Sequence, residues 1–160
     1  NTRYVDEVVT AIKNGQTVTK EYNIAQSTIN GTSSDIGNTY VEINLTKQHI
    51  WCYKDGALVA EGDIVTGNVS SGWETPQGVY KLKSKERDRV LRGPGYASPV
   101  TYWMPFNGGI GLHDATWRNS FGGSIYKNNG SHGCINLPYN VASEIYNSIK
   151  VGDPIVCYFE

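Results

Sequence analysis

The residues best suited to nucleophilic chemistry gather late in the chain. Cys134 lies in the polar, Gly-rich stretch Ser131-His132-Gly133-Cys134-Ile135-Asn136, with Gly130 just before it. A thiol attacks only as thiolate, so a catalytic Cys needs a base within reach. His132 precedes Cys134 by two positions and would share its face on an extended backbone. His113 ends the separate short run Gly109-Ile110-Gly111-Leu112-His113. Spacing alone leaves both as candidate bases. Gly130 and Gly133 let the backbone turn sharply and aim N–H groups at an incoming carbonyl, as an oxyanion hole requires. The chemistry indicated is acyl transfer through a thioester. A zinc site built from His113, His132 and Cys134 is the competing reading, but only His132-x-Cys134 has ligand-like spacing and a fourth ligand is missing. His49, the one remaining histidine, sits between Gln48 and Ile50 and reads as a surface residue at a turn.

The elements that must position these groups are mostly strands. Val41, Ile43 and Leu45 alternate with polar neighbours, Ile50 to Tyr53 forms a second run, and Lys54-Asp55-Gly56 supplies an Asp-Gly turn. Leu58-Val59-Ala60 and Ile64-Val65-Thr66 then read as one third strand ending at Gly67. Val79 to Leu82 follows Thr75-Pro76-Gln77-Gly78, and the charged stretch from Lys83 to Arg92 leads into a Gly93-Pro94-Gly95 break. Val100 to Phe106 is aromatic and half apolar. After the Cys134 stretch, Pro138 opens a helix with Val141, Ile145, Tyr146 and Ile149 on one face. Pro154 to Phe159 closes the chain as a strand.

Composition narrows the function. Among 160 residues, 14 Lys and Arg nearly balance 15 Asp and Glu, for a net charge of -1, which excludes a nucleic-acid partner because phosphate binding relies on a dense basic surface. No apolar run is long enough to cross a bilayer. Cys52 and Cys157 lie inside strand-like apolar runs and could bridge only if their strands are neighbours. The chain starts at Asn1 and reads as a piece of something longer. Val5, Val8, Val9 and Ile12 have helical spacing, and Asn30 to Asn38 reads as a linker. Residues 1–37 are therefore expected to be the tail of an upstream domain plus linker, and residues 38–160 the catalytic domain.

With these residues in view, the chain resembles the L,D-transpeptidase catalytic domain, or YkuD, family. That family's signature is a His, a loop, then Ser or Thr followed by His-Gly-Cys, an apolar residue and Asn or Arg. Here it reads His113, the loop 114–130, and Ser131-His132-Gly133-Cys134-Ile135-Asn136. Asp63 to Gly67 with Thr75-Pro76-x-Gly78, and His113-Asp114-Ala115-Thr116-Trp117, also match. The resemblance implies a mainly β fold with minor α, sandwich-like, with a helix packed after the Cys loop. It implies Cys134 as nucleophile and His113 as base, its imidazole oriented by a backbone carbonyl near Asp114. Ser131, His132 and Gly133 would shape the oxyanion hole or support the loop, and Asn136 would hold the loop or touch substrate. Tyr102, Trp103, Trp117 and Tyr126 flank these elements and are expected to line a substrate groove, while Gly122-Gly123 and Asn128-Asn129-Gly130 would let the loop move as a lid.

The activity implied is 3→3 cross-linking of peptidoglycan from a tetrapeptide stem donor to an acceptor stem amine, without cofactor or metal, and with carbapenem β-lactams as inhibitors. L,D-carboxypeptidase activity on the same stem is the alternative. A monomer is expected, outside the cytoplasm, in the wall or anchored to the membrane through an upstream segment.

Overall fold

The computed structural model describes residues 38–93 and 95–160. The helix and linker expected in residues 1–37 lie outside the described residues. Nine strands form two sheets: a five-stranded sheet in the order β3-β2-β1-β9-β4, and a four-stranded sheet in the order β5-β6-β7-β8. The first contains β1 (Tyr40–Asn44), β2 (His49–Lys54), β3 (Ala57–Asp63), β4 (Gly78–Lys81) and β9 (Pro154–Tyr158). The second contains β5 (Glu86–Gly93), β6 (Tyr96–Asn107), β7 (Ile110–Asp114) and β8 (Ile135–Leu137). Among the described residues two α-helices complete it, α1 (Ile125–Asn129) and α2 (Tyr139–Ser148). None of the described helices is long and apolar enough to cross a membrane.

The alternation of the first strands is realised as antiparallel pairing of β1 with β2 and of β2 with β3. Asp55 and Gly56, at φ 52° and 84°, form the left-handed turn that Asp-Gly favours between such strands. Val41, Ile43 and Ile50 from this sheet meet Met104, Phe106, Leu112, Ile135 and Leu137 from the other in one core. α2 starts after Pro138 and closes that core with Val141, Ala142 and Ile145. It packs closely: a methyl group on Gly62 of β3 would lie 2.8 Å from Val141.

One expectation needs correction, and two open readings are resolved. Ile64 to Thr66 do not extend β3. The chain leaves the first sheet there, and Val65 bridges Asn136 while Gly67 bridges Ser131, so this segment carries the Cys loop. The charged stretch that leads into the Gly93-Pro94-Gly95 break contains a strand: Glu86 to Gly93 is β5, the outer strand of a long hairpin with β6. An edge strand facing solvent tolerates, and is protected by, charge. Finally, Cys52 on β2 and Cys157 on β9 both flank β1. Strands two apart are separated by roughly 9.5 Å, beyond the reach of a disulfide, and both thiols are free and buried. Burial pushes the Cys52 pKa up to about 12 and that of Cys157 higher still. Cys52→Ala is expected to leave the chemistry untouched and to lower stability by about 1–2 kcal/mol, measured as a shift in urea midpoint; a loss of acylation without unfolding would contradict this.

Candidate active site

His113 and Asn136 are paired residues on the parallel strands β7 and β8, and Cys134 stands just before β8. The pairing, not sequence proximity, brings the sulfur and the imidazole to one place. Both line a cleft of about 650 Å³ whose far wall is the β5–β6 hairpin, through Arg89, Arg92 and Tyr96. A second hollow of about 580 Å³ shares Trp117 and Arg118 with the first.

The Cys loop is held by hydrogen bonds that its residue types make obligatory. Ser131 Oγ donates to Cys134 O at 2.6 Å and accepts from Gly133 N at 3.0 Å. Thr75 Oγ1 donates to Gly133 O at 2.7 Å and accepts from Gly67 N at 3.0 Å, which gives the Thr-Pro turn its purpose. Gly133 has φ 129°, a conformation L side chains rarely adopt. Gly67 allows a close approach, since a Cβ there would fall 1.8 Å from Trp73 O. The Gly133 N–H is taken by Ser131, which leaves the amide of Cys134 among the loop's candidates for an oxyanion donor.

His113 is 4% exposed, and its Nδ1 lies 2.8 Å from Asp114 O. A carbonyl oxygen only accepts, so Nδ1 carries the proton and Nε2 holds the lone pair of the neutral ring. Burial depresses the His113 pKa, against the smaller opposing effects of the Asp114 carbonyl and carboxylate. The Asp114 carboxylate is itself spent on the N–H groups of Thr101 and Tyr102. Cys134 is half-buried, and its thiol donates to Gly109 O at 3.5 Å. Burial raises its pKa, and the Gly111 amide pulls it partly back. The resting pair is therefore a neutral thiol beside a neutral imidazole, not a preformed ion pair. Accordingly, iodoacetamide labelling of Cys134 in the resting protein should keep rising with pH through 9; a plateau already reached near pH 7 would mean a standing thiolate.

The other residues singled out in the sequence divide. Trp103 and Trp117 line the cleft, with rings 6.0 and 5.8 Å from that of His113. Tyr102 and Tyr126 are not brought to it. Tyr102 packs on Tyr139 and Tyr146 and donates to Ser143 Oγ of α2, and Tyr126 is buried in α1. His132 is exposed and also lines the cleft, its ring held between Trp73 at 4.3 Å and Tyr96 at 4.5 Å. That stack joins the hairpin tip to the Cys loop. The loop expected to act as a lid makes backbone hydrogen bonds from Gly122 N to Ile64 O and from Ser131 N to Thr66 O, and the hairpin contributes Arg89, Arg92 and Tyr96 to the cleft lining. Among the described residues, no three His, Cys, Asp or Glu side chains are grouped to hold a metal. His49 bonds to Asp63 and Glu61 on the neighbouring strand, away from the cleft.

Sequence reasoning missed Arg118, Trp73 and the hairpin. Arg118 follows Trp117 directly and could have been noticed as the sole cation between His113 and Tyr126. Trp73 and the hairpin carry no local signal.

Residues 38–157 match the family described as the L,D-transpeptidase catalytic domain, YkuD. Probable L,D-transpeptidase 3 of Mycobacterium tuberculosis is 32% identical over 95 residues, 52% of this chain and 34% of that protein. The chain thus spans about a third of that curated relative. A crystal structure of a cysteine-to-serine mutant of Enterococcus faecium L,D-transpeptidase is 42% identical, with a TM-score of 0.73 over 77% of this chain and 50% of that one. The catalytic domain from E. faecium L,D-transpeptidase acylated by ertapenem is also 42% identical, with a TM-score of 0.69 over 77% of this chain and 98% of that domain.

Proposed function

We propose, for a chain that belongs to the L,D-transpeptidase catalytic-domain (YkuD) family, that it forms 3→3 cross-links in peptidoglycan through a Cys134 thioester. The observation that carries this reading is the pairing of β7 with β8, which opens the Cys134 sulfur and His113 into one cleft. His113 Nε2 takes the thiol proton as the sulfur attacks the carbonyl of stem residue three. Charge developing on the carbonyl oxygen is met by the Cys134 amide. The C–N bond to the terminal D-Ala then breaks, and its amine leaves with the proton from His113. An amine of a neighbouring stem gives its proton to His113 and attacks the thioester; the C–S bond breaks, the Cys134 sulfur takes the proton back from His113, and the cross-linked product leaves. Two hollows meeting at Trp117 and Arg118 suit two stems. Such a substrate places the enzyme outside the cytoplasm, and the strained carbonyl of a carbapenem should acylate the same sulfur.

Incubation with a tetrapeptide stem, with and without an amine acceptor, followed by mass analysis tests the reading. Cross-linked or acceptor-exchanged product with loss of D-Ala is expected. Tripeptide alone in the presence of acceptor would instead mark an L,D-carboxypeptidase, and an unchanged stem would overturn the proposal.

A further inference from the structure

We propose that Arg118 is a positioning residue for the base: it locks the Asn136 carboxamide with Oδ1 turned away from His113, so that the imidazole faces a donor and passes its proton on. The inference rests on the proposed role of His113. Arg118 Nε and Nη2 lie 2.8 and 3.3 Å from Asn136 Oδ1, and in that amide orientation Nδ2 lies 3.2 Å from His113 Nε2. The reverse orientation would set donors against the guanidinium and the amide oxygen against the imidazole lone pair, so the neighbours decide it. The guanidinium is itself anchored, with Nη1 donating to Asn129 O at 2.9 Å at the end of α1. The Asn136 backbone is equally fixed, exchanging both hydrogen bonds with Val65 at 2.8 and 3.1 Å. No carboxylate among the described residues forms an ion pair with Arg118. Its charge and its planar fork are thus directed at one amide oxygen.

The consequence concerns the proton. At rest Asn136 Nδ2 occupies the Nε2 lone pair with a long bond, and the thiol leans on Gly109 O. When the S–C bond forms, the thiol proton moves to Nε2 and the imidazolium N–H then faces an N–H₂ group. An unrestrained amide would rotate and offer its oxygen, stabilising the imidazolium. Arg118 holds that oxygen away, so the acceptor left for the proton is the leaving amine, which takes it as the C–N bond breaks. The other groups around His113 do not supply a substitute. On its own strand the Asp114 carboxylate is committed to Thr101 and Tyr102, β6 and the following loop offer the Trp103 and Trp117 rings, and Cys134 is the proton's source. Burial is the main cause that depresses the His113 pKa, and the Arg118 charge adds to it in the same direction.

The test is the titration of the His113 ring nitrogens by long-range ¹H–¹⁵N correlation in the full chain, alongside the pH profile of Cys134 acylation by a carbapenem. Arg118→Met should raise the His113 midpoint by about one pH unit, the size typical of a lost neighbouring charge, and carry the acid limb of acylation with it. Arg118→Lys keeps the charge without the fork and should fall between Met and wild type. A wild-type midpoint in folded Arg118→Met would overturn the proposal, and a wild-type midpoint in Arg118→Lys would overturn the fork. Asn136→Asp offers Nε2 an acceptor with Arg118 in place and should also raise the midpoint, so an unchanged value there counts against the proposal even if Arg118→Met does not fold. The ring titration needs no turnover. Failure of the transpeptidase reading would show in Cys134→Ala product analysis, independently of these shifts.

Discussion

Cys134→Ala should fold like the parent and lose acyl transfer by on the order of 10⁶-fold, as enzymes do when their nucleophile is removed and nothing replaces it. The fold is expected to survive because the thiol contributes one long contact to Gly109 O, while the loop is carried by Ser131, Thr75 and the backbone bond from Ser131 N to Thr66 O. Neither remaining thiol can substitute, since Cys52 and Cys157 are fully buried in the first sheet with raised pKa values. The cleanest readout is intact-protein mass after exposure to a carbapenem. One added carbapenem should appear on the wild type and on Cys52→Ala or Cys157→Ala, and be absent from Cys134→Ala. Turnover persisting in Cys134→Ala, or an adduct mapped to Cys52 or Cys157, would remove the nucleophile assignment.

His113→Gln should slow single-turnover acylation by about 10²- to 10⁴-fold, the usual loss with a general base, whereas His132→Ala should cost far less. The two histidines differ in what surrounds them. His113 is buried with its tautomer set by Asp114 O, and its paired strand leads straight to the nucleophile. His132 is exposed and clasped between Trp73 and Tyr96, so its removal should loosen the hairpin over the cleft and raise KM more than it lowers the acylation rate at saturation. If His132→Ala proved the slower of the two at saturating donor, the roles would have to be exchanged. The burial that keeps His113 neutral also has a stability signature. Its depressed pKa means the unfolded chain binds the extra proton first, so stability falls as pH drops below about 6.5 toward the folded value.

Much of this site was legible in the residues themselves. The run from Ser131 to Asn136 and the upstream His113 name the proposed nucleophile and base because glycine conformations, a hydroxyl that caps its own loop and a thiol with a candidate imidazole are local chemical requirements. Thr75-Pro76 belongs to the same class, since its hydroxyl ties Gly67 to Gly133. Period-two alternation likewise identified most strands, and Pro138 with its apolar face identified α2.

What local pattern determines is which side of a strand is buried; it does not name the strand alongside. Ile64 to Thr66 look like a continuation of β3, yet they cross to the Cys loop because Asn136 and Ser131 offer the backbone partners there. Cys52 and Cys157 read alike as buried thiols, and only the insertion of β1 between their strands keeps them apart. The charges from Glu86 to Arg92 give no apolar strand signal, yet these residues form β5, since an edge strand needs one paired side and accepts charge on the other. The burial of His113 against the exposure of His132, the exclusion of Tyr102 and Tyr126 from the cleft, and the place of Arg118 beside Asn136 all depend on β7 pairing with β8 and on the hairpin packed against them. Those pairings join segments far apart in the chain, so their energy lies in contacts that no single stretch of sequence contains.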